Sequence, residues 1–350
     1  RTEVTFVSVL LPVRNGAEYL ERAARSILNQ THADLELLVL DDGSTDGSAG
    51  IAASLGDRRV RLLRNERNQG LPATLNLGLS AAKAEIVARQ DADDVSHPQR
   101  LERQVKFLDS NPAVGLLGTQ AWRIDEHGRC RGSVAHACDH DSLVWELLFD
   151  NAFVHTSVAF RRHLVVGEQG GYDEAWPYNQ DYELWARLAR STRIANLPQR
   201  LVAWRSHGAS MTSVMGQEAA RANRILLARN LPYVLGETSG ETVELVARAR
   251  EGLDLVDLRR LLPLMKGWAD EYRARVAPQS LNDFRSTLVR QYLQMAFTRH
   301  RRTPARIVLA LWAGREEGTE LMRAVLTLAA QRARLGLGHD PVAAFGASAV

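Results

Sequence analysis

"EIVARQDADDVSHPQRL", residues 85–101, opens as a β-strand and closes as the start of a helix. Between the two lie Asp91, Asp93 and Asp94, interrupted by one alanine. Aspartate is a poor strand former, and carboxylates this close repel unless something positive compensates them. What precedes the stretch decides the fold, and what compensates it decides the chemistry.

Upstream, "VTFVSVLLPV" (4–13) is almost continuously apolar and β-branched, the pattern of a strand buried on both faces of a parallel sheet. "NGAEYLERAARSILNQ" (15–30) then sets Ala17, Leu20, Ala24, Ile27 and Leu28 on one helical face. "LELLVL" (35–40) is a second strand ending in "DDGSTDGS", "AGIAASL" (49–55) a helix, and "RVRLLR" (59–64) a third strand. "LPATLNLGLSAAK" (71–83) is a helix with proline in its first turn, and "EIVARQ" is the fourth strand. This alternation predicts an α/β fold with an open, Rossmann-like sheet. Ligands of such sheets bind beyond the carboxyl ends of the strands, where Pro12, Asp41, Asp42 and Asp91 all fall.

From about residue 104 the pattern changes. "VGLLGTQAWRI" (114–124), "FVHTSVAFRR" (153–162) and "LVAWRSH" (201–207) read as strands, and "YNQDYELWARLAR" (178–190) as a helix. After Thr212 only amphipathic helices rich in alanine, leucine and arginine are expected, such as "GQEAARANRILLARNL" and "GTELMRAVLTLAAQRARLGL". The division is set at residue 214, with an α/β domain over 1–214 and an all-α region over 215–350.

Composition narrows the class. A chain of 350 residues, 45% hydrophobic and 24% charged, is globular material for two domains. The formal net charge of +3 calls for no nucleic acid. No apolar run approaches the ~20 residues that span a bilayer, and "RTEVTFVSVL" reads as a strand rather than a signal peptide. Cys130 and Cys138 are too few for a disulfide framework, so the expected compartment is the cytosol. With His127, His136 and His140 nearby they invite a zinc reading, but no Cys-x-x-Cys knuckle organises them and a polar hairpin or loop is expected instead.

Acids gathered on one sheet edge, two of them one residue apart, suit a hard divalent cation. Mg²⁺ and Mn²⁺ prefer oxygen ligands and share them with substrate phosphates. An Asp-rich turn leading into the helix near Pro98 would look the same in isolation. Five elements in order go further: "VSVLLPVRNGAEYL", "LLVLDDGSTDGS", "RNQGLPATLNLGL", "ARQDADDVSHPQRL" and "GGYDEAWPYNQDYELWARLA". Together they resemble the family 2 glycosyltransferases of the GT-A fold.

That resemblance implies inverting transfer from a nucleoside-diphosphate sugar, UDP- or TDP-linked, to a saccharide or lipid-linked acceptor, assisted by Mn²⁺ or Mg²⁺. It implies that Pro12, Arg14 and Asn15 border the nucleotide and that Asp42 reads the base, with Asp41 beside it. Gly70, Asn76, Arg89 and Asp91 fall on the donor side. Asp93 is the metal-binding acid of the Asp-x-Asp motif, with Asp91 and His207 as further ligands. Asp181 matches the general base, although Gln180 stands where the family often has glutamate. His155, Trp176 and Gln180 are assigned to the acceptor side. The helical region could cover the acceptor, form a homodimer, or lie on the inner face of the membrane.

Two other classes share parts of this pattern. A haloacid-dehalogenase-type phosphotransferase also carries "DADDV", but on its first strand rather than its fourth. A non-catalytic scaffold would not need Asp42, Asp91, Asp93 and Asp181 together. A nicotinamide enzyme would need G-x-G-x-x-G after the first strand, where "PVRNGAEY" stands.

Overall fold

The computed structural model describes residues 5–208, 216–251 and 255–276, with Phe284, Thr287, Leu288, Gln291 and Phe345. These fall into two compact units. One is drawn from Arg1–Ala135, Phe153–Val214 and Gly338–Val350, the other from His136–Ala152 and Met215–Leu337.

In the first unit β1 (Val7–Val13), β2 (Leu35–Asp41), β3 (Val60–Arg64) and β4 (Ile86–Arg89) run parallel. Every residue of β1 and β2 is buried, as uninterrupted apolar runs require of strands covered on both faces. The crossovers are α1 (Ala17–Leu28), α2 (Ser48–Ser54) and α3 (Leu71–Ala81). α1 buries Leu20, Ala23, Ala24, Ile27 and Leu28 against the sheet. α3 comes closer to β2 than a side chain would permit, since a Cβ on Gly78 would stand 2.5 Å from Leu40 Cδ1.

Beyond β4 the sheet turns mixed. β8 (Ala159–Arg161) pairs antiparallel with β4, and β6 (Val114–Ile124) antiparallel with β8. β9 (Arg193–Arg205) runs parallel to β6, and the short β5 (Val95–Ser96) pairs antiparallel with β9. The order is β3-β2-β1-β4-β8-β6-β9-β5, with β7 (Cys130–Val134) forming a hairpin on β6. α4 (Arg100–Ser110) follows β5, and α6 (Gln180–Ser191) precedes β9. Because β5 leaves the acidic turn directly and registers Val95 opposite Ala203, the end of β9 is carried to that turn.

The strand expected over 153–162 is mostly not one. His155–Ser157 form a short 3₁₀ turn, and only Ala159–Arg161 extend. Side chains compete with ladder pairing here: the Thr156 hydroxyl accepts from the Asp91 N–H at 2.9 Å, and the Thr119 N–H donates to Ser157 Oγ at 3.1 Å.

The second unit contains α5 (His140–Glu146), α7 (Gly216–Leu235), α8 (Gly240–Glu251) and α9 (Leu255–Val276). A division at residue 214 misses the excursion His136–Ala152. Trp145 on α5 explains it: fully buried, it packs with Leu227, Leu231, Met265 and Phe284, and its indole N–H donates to Gln291 Oε1 at 2.6 Å. Among the described residues no helix is long and apolar enough to cross a membrane.

Candidate active site

The carboxyl ends of β1 and β2 form one shelf of the site. Pro12 is buried in β1, and Arg14 after it is exposed. Asn15 takes a left-handed backbone, φ 51°, which asparagine tolerates better than most residues. Its N–H donates to Ser44 Oγ at 3.0 Å and its Oδ1 accepts from the Thr45 N–H at 2.9 Å, stitching the two strand ends together. Asp41 accepts from the Ser44 N–H at 2.9 Å and lies 3.0 Å from Arg64 Nε.

Asp42 is buried and heavily engaged. Its Oδ1 accepts from Asn65 Nδ2 at 2.9 Å and from the Gln69 N–H at 2.8 Å, while Oδ2 accepts from the Gly70 N–H at 3.0 Å. A carboxylate offers about four lone-pair sites, so these donors leave one on Oδ2. Gly70 therefore belongs to the loop that Asp42 holds, at the start of α3.

The acidic turn follows β4. Arg89, buried in β4, donates from Nη2 to Asp91 Oδ1 at 2.7 Å. Asp93 Oδ2 lies 2.9 Å from His207 Nε2. Burial, and then the Asp91 charge, push the Asp93 carboxyl above its usual range, while the His207 hydrogen bond opposes the shift. Asp94 is fully buried and pushed well above the usual range by burial, then by Asp93 and Asp91.

Arg205, at the end of β9, is the clamp. Its backbone N–H donates to Asp94 Oδ1 at 2.7 Å and its Nε to the Asp93 carbonyl at 2.8 Å. Its guanidinium lies over the Tyr19 ring, 4.7 Å from the centroid, and Tyr19 is 5.4 Å from the His207 ring. Buried Arg100 donates to the Thr156 carbonyl beneath the turn, and its own pKa is lowered to about 9 by burial. Tyr19, Arg100 and Thr156 went unassigned in the sequence. Arg205, inside the strand expected over 201–207, was likewise given no role there.

The donor set fits a divalent ion that takes most of its shell from elsewhere. Asp93 and His207 are in contact, Asp91 is turned to Arg89, and among the described residues no three such ligands cluster. Mg²⁺ and Mn²⁺ commonly take one or two carboxylates and complete their shells with phosphate and water.

At the other end, α6 begins after Asn179, also left-handed at φ 56°. Gln180 is buried, and Asp181 occupies the first turn, where the helix dipole favours a negative charge. Asp181 Oδ2 is 3.9 Å from His155 Nδ1, and His155 Nε2 is 3.2 Å from the Tyr172 hydroxyl. Burial pushes His155 down to about 4, so the ring is neutral. Trp176 is half-buried in the preceding loop, its N–H donating to the Asp173 carbonyl at 3.0 Å. Asn76 is engaged with that loop, accepting from the Tyr172 N–H at 2.9 Å and donating to the Tyr172 carbonyl at 2.8 Å.

A family model described as "Glycosyl transferase family 2" matches residues 8–163. O-antigen biosynthesis glycosyltransferase WbnJ of Escherichia coli is 32% identical over 58% of this chain and 81% of its own length. The chain belongs to glycosyl transferase family 2. It is accordingly a glycosyltransferase. Two solved structures share its fold: Staphylococcus aureus TarS 1-349 in complex with UDP, and the Pyrobaculum calidifontis mannosyltransferase PcManGT in complex with GDP-Man and Mn²⁺. The first has TM-score 0.53 and 15% identity, covering 91% of this chain and 89% of that one. The second has TM-score 0.51 and 18% identity, covering 93% and 87%. The GT-A architecture that the resemblance implied is thus the fold of this chain. The family model stops at residue 163, before Asp181 and His207.

Proposed function

We propose that this family 2 glycosyltransferase moves a sugar from a nucleoside-diphosphate donor, UDP- or TDP-linked, to a hydroxyl of a saccharide or lipid-linked acceptor, with inversion. The observation that carries this reading is a pair of consecutive residues. Thr156 accepts from the Asp91 N–H at 2.9 Å, and His155 stands 3.9 Å from Asp181, so one short turn serves both the acidic turn and the carboxylate on α6.

In this reading the acceptor oxygen attacks the anomeric carbon while the bond from that carbon to the diphosphate oxygen breaks, and Asp181 receives the hydroxyl proton. A single displacement inverts the anomeric centre. Asp93 and His207 would hold Mn²⁺ or Mg²⁺, which would neutralise the departing diphosphate. The Mn²⁺ and GDP-Man in the mannosyltransferase of the same fold support a metal-assisted donor site. The remaining Oδ2 lone pair of Asp42 would accept a base N–H, with Pro12, Arg14 and Asn15 along the nucleotide.

The name of the Escherichia coli relative supports a place in cell-surface polysaccharide synthesis. The reading puts the enzyme in the cytoplasm, at the inner face of the membrane where a lipid-linked acceptor would be met, with a catalytic domain ending near residue 214. A hydrolysis screen across UDP-, TDP- and GDP-sugars with Mn²⁺ tests it. Metal-dependent release of one nucleoside diphosphate is expected. No hydrolysis of any donor, or full hydrolysis in EDTA, would sink it.

A further inference from the structure

We infer that Tyr172 and His155 form a positioning chain that aims Asp181, with Asn76 as its anchor; this rests on the reading of Asp181 as the base. The geometry selects one tautomer of the imidazole. An ionised carboxylate 3.9 Å from Nδ1 favours a proton on that nitrogen, since a lone pair there would face like charge. Nε2 is then the acceptor, and Tyr172 lies 3.2 Å away to donate its hydroxyl proton. Burial raises the Tyr172 phenol, so it remains a donor at working pH. Tyr172 O–H thus points at Nε2, and Nδ1–H points at Asp181.

The chain is tied to α3. Asn76 on α3 grips both the N–H and the carbonyl of Tyr172, at 2.9 and 2.8 Å. The approach is so close that a Cβ on Gly171 would stand 2.6 Å from Asn76 Oδ1, with Gly171 itself at φ +88°. Arg187, paired with Glu183 one turn below on α6, donates to the Gly171 carbonyl at 2.9 Å. The loop bearing Tyr172 is therefore held from α3 on one side and from α6, the helix of Asp181, on the other. Tyr172 and His155 also pack against Trp185 of α6, with centroids 6.3 and 6.1 Å apart, which limits rotation of both rings. A gap of 3.9 Å is long for a hydrogen bond, and catalytic contacts of this kind tighten when substrate closes the site.

An oriented N–H beside the base fixes which of its oxygens faces the acceptor. Such residues act through Asp181, and a double-mutant cycle reads that directly. Hydrolysis of the nucleotide sugar selected by the donor screen would be measured for Tyr172→Phe, His155→Gln, Asp181→Asn and the double variant His155→Gln/Asp181→Asn, with UDP and Mn²⁺ affinity by calorimetry in parallel. Tyr172→Phe keeps the ring and removes one hydrogen bond, so kcat should fall about 3- to 10-fold. His155→Gln should fall about 10- to 100-fold, approaching the lower range of a base's own contribution. UDP affinity should stay within about two-fold in both, and His155→Gln should add nothing once Asp181 is asparagine. Full kcat in the two single variants beside a crippled Asp181→Asn would overturn the chain alone. So would a parallel loss of UDP affinity, or additive losses in the double variant. Asp181→Asn at full rate would remove the base reading and the chain with it.

Discussion

The acidic turn after β4 and the start of α6 both present carboxylates to the site, yet they are built differently. At the turn, Asp91, Asp93 and Asp94 are surrounded by Arg89, Arg100 and Arg205, and two of the three acids remain pushed upward by burial. At α6, Asp181 is backed by a neutral histidine and a buried phenol. The first end is arranged to hold charge and is short of positive charge where Asp93 meets His207. The second sets a neutral imidazole and a phenol behind its carboxylate. A diphosphate with its metal suits the first, and a proton in transit suits the second.

The comparison breaks most sharply at Asp93. Asp93→Ala should remove donor turnover by more than the ~10⁴-fold ascribed to a general base, because metal and diphosphate are lost together. Calorimetry with UDP and Mn²⁺ should show the loss of binding; preserved affinity would detach Asp93 from the donor. Asp181→Asn should cost roughly 10²–10⁴ in kcat while UDP affinity persists, since a base acts only in the transition state. If both variants lose nucleotide affinity alike, the two ends are not distinct.

pH tests the neutral end. His155 has a folded pKa lowered to about 4 against 6.5 for the ordinary group, so between those values the unfolded chain binds more protons. Its contribution to stability is complete above about 6.5 and is lost as the pH falls towards 4, on the order of 3 kcal/mol in all. Thermal melts of wild type and His155→Gln from pH 7 to 4 should therefore converge on acidification. Parallel curves would mean that His155 is not buried neutral.

The smallest effect is expected at Asp42. Losing one hydrogen bond to a base and the loop over Asn65, Gln69 and Gly70 should weaken UDP binding about 10-fold, with kcat at saturating donor less affected. Unchanged UDP affinity in Asp42→Ala would restrict Asp42 to holding the loop.

The parts of the site most legible in the sequence are those whose signal is local. "LELLVLDD" announces a buried strand with acids at its carboxyl end, and β2 ends at Asp41. "NQDYELW" announces a helix with an acid in its first turn, and α6 carries Asp181 there. Asn76 shows the limit of such reading. The family resemblance made it a donor-side residue, and its amide proves to be engaged with Tyr172, 96 positions away. The strand expected over 153–162 failed for a related reason, since an apolar run with threonine and serine does not reveal that both hydroxyls bond to other segments.

From the sequence alone came the parallel half of the sheet, its carboxyl edge, and the kinds of residue gathered there, because strand burial and helical faces are written in the periodicity of neighbouring residues. Which acid meets which partner was decided by tertiary structure. β5 pairs with β9 across more than a hundred residues and thereby sets His207 beside Asp93 and Arg205 beneath the acidic turn. The turn at His155–Ser157 likewise joins Asp91 to Asp181. Hydrogen bonds of this kind depend on distances of about 3 Å between atoms remote in the chain, and only the packed backbone path determines those.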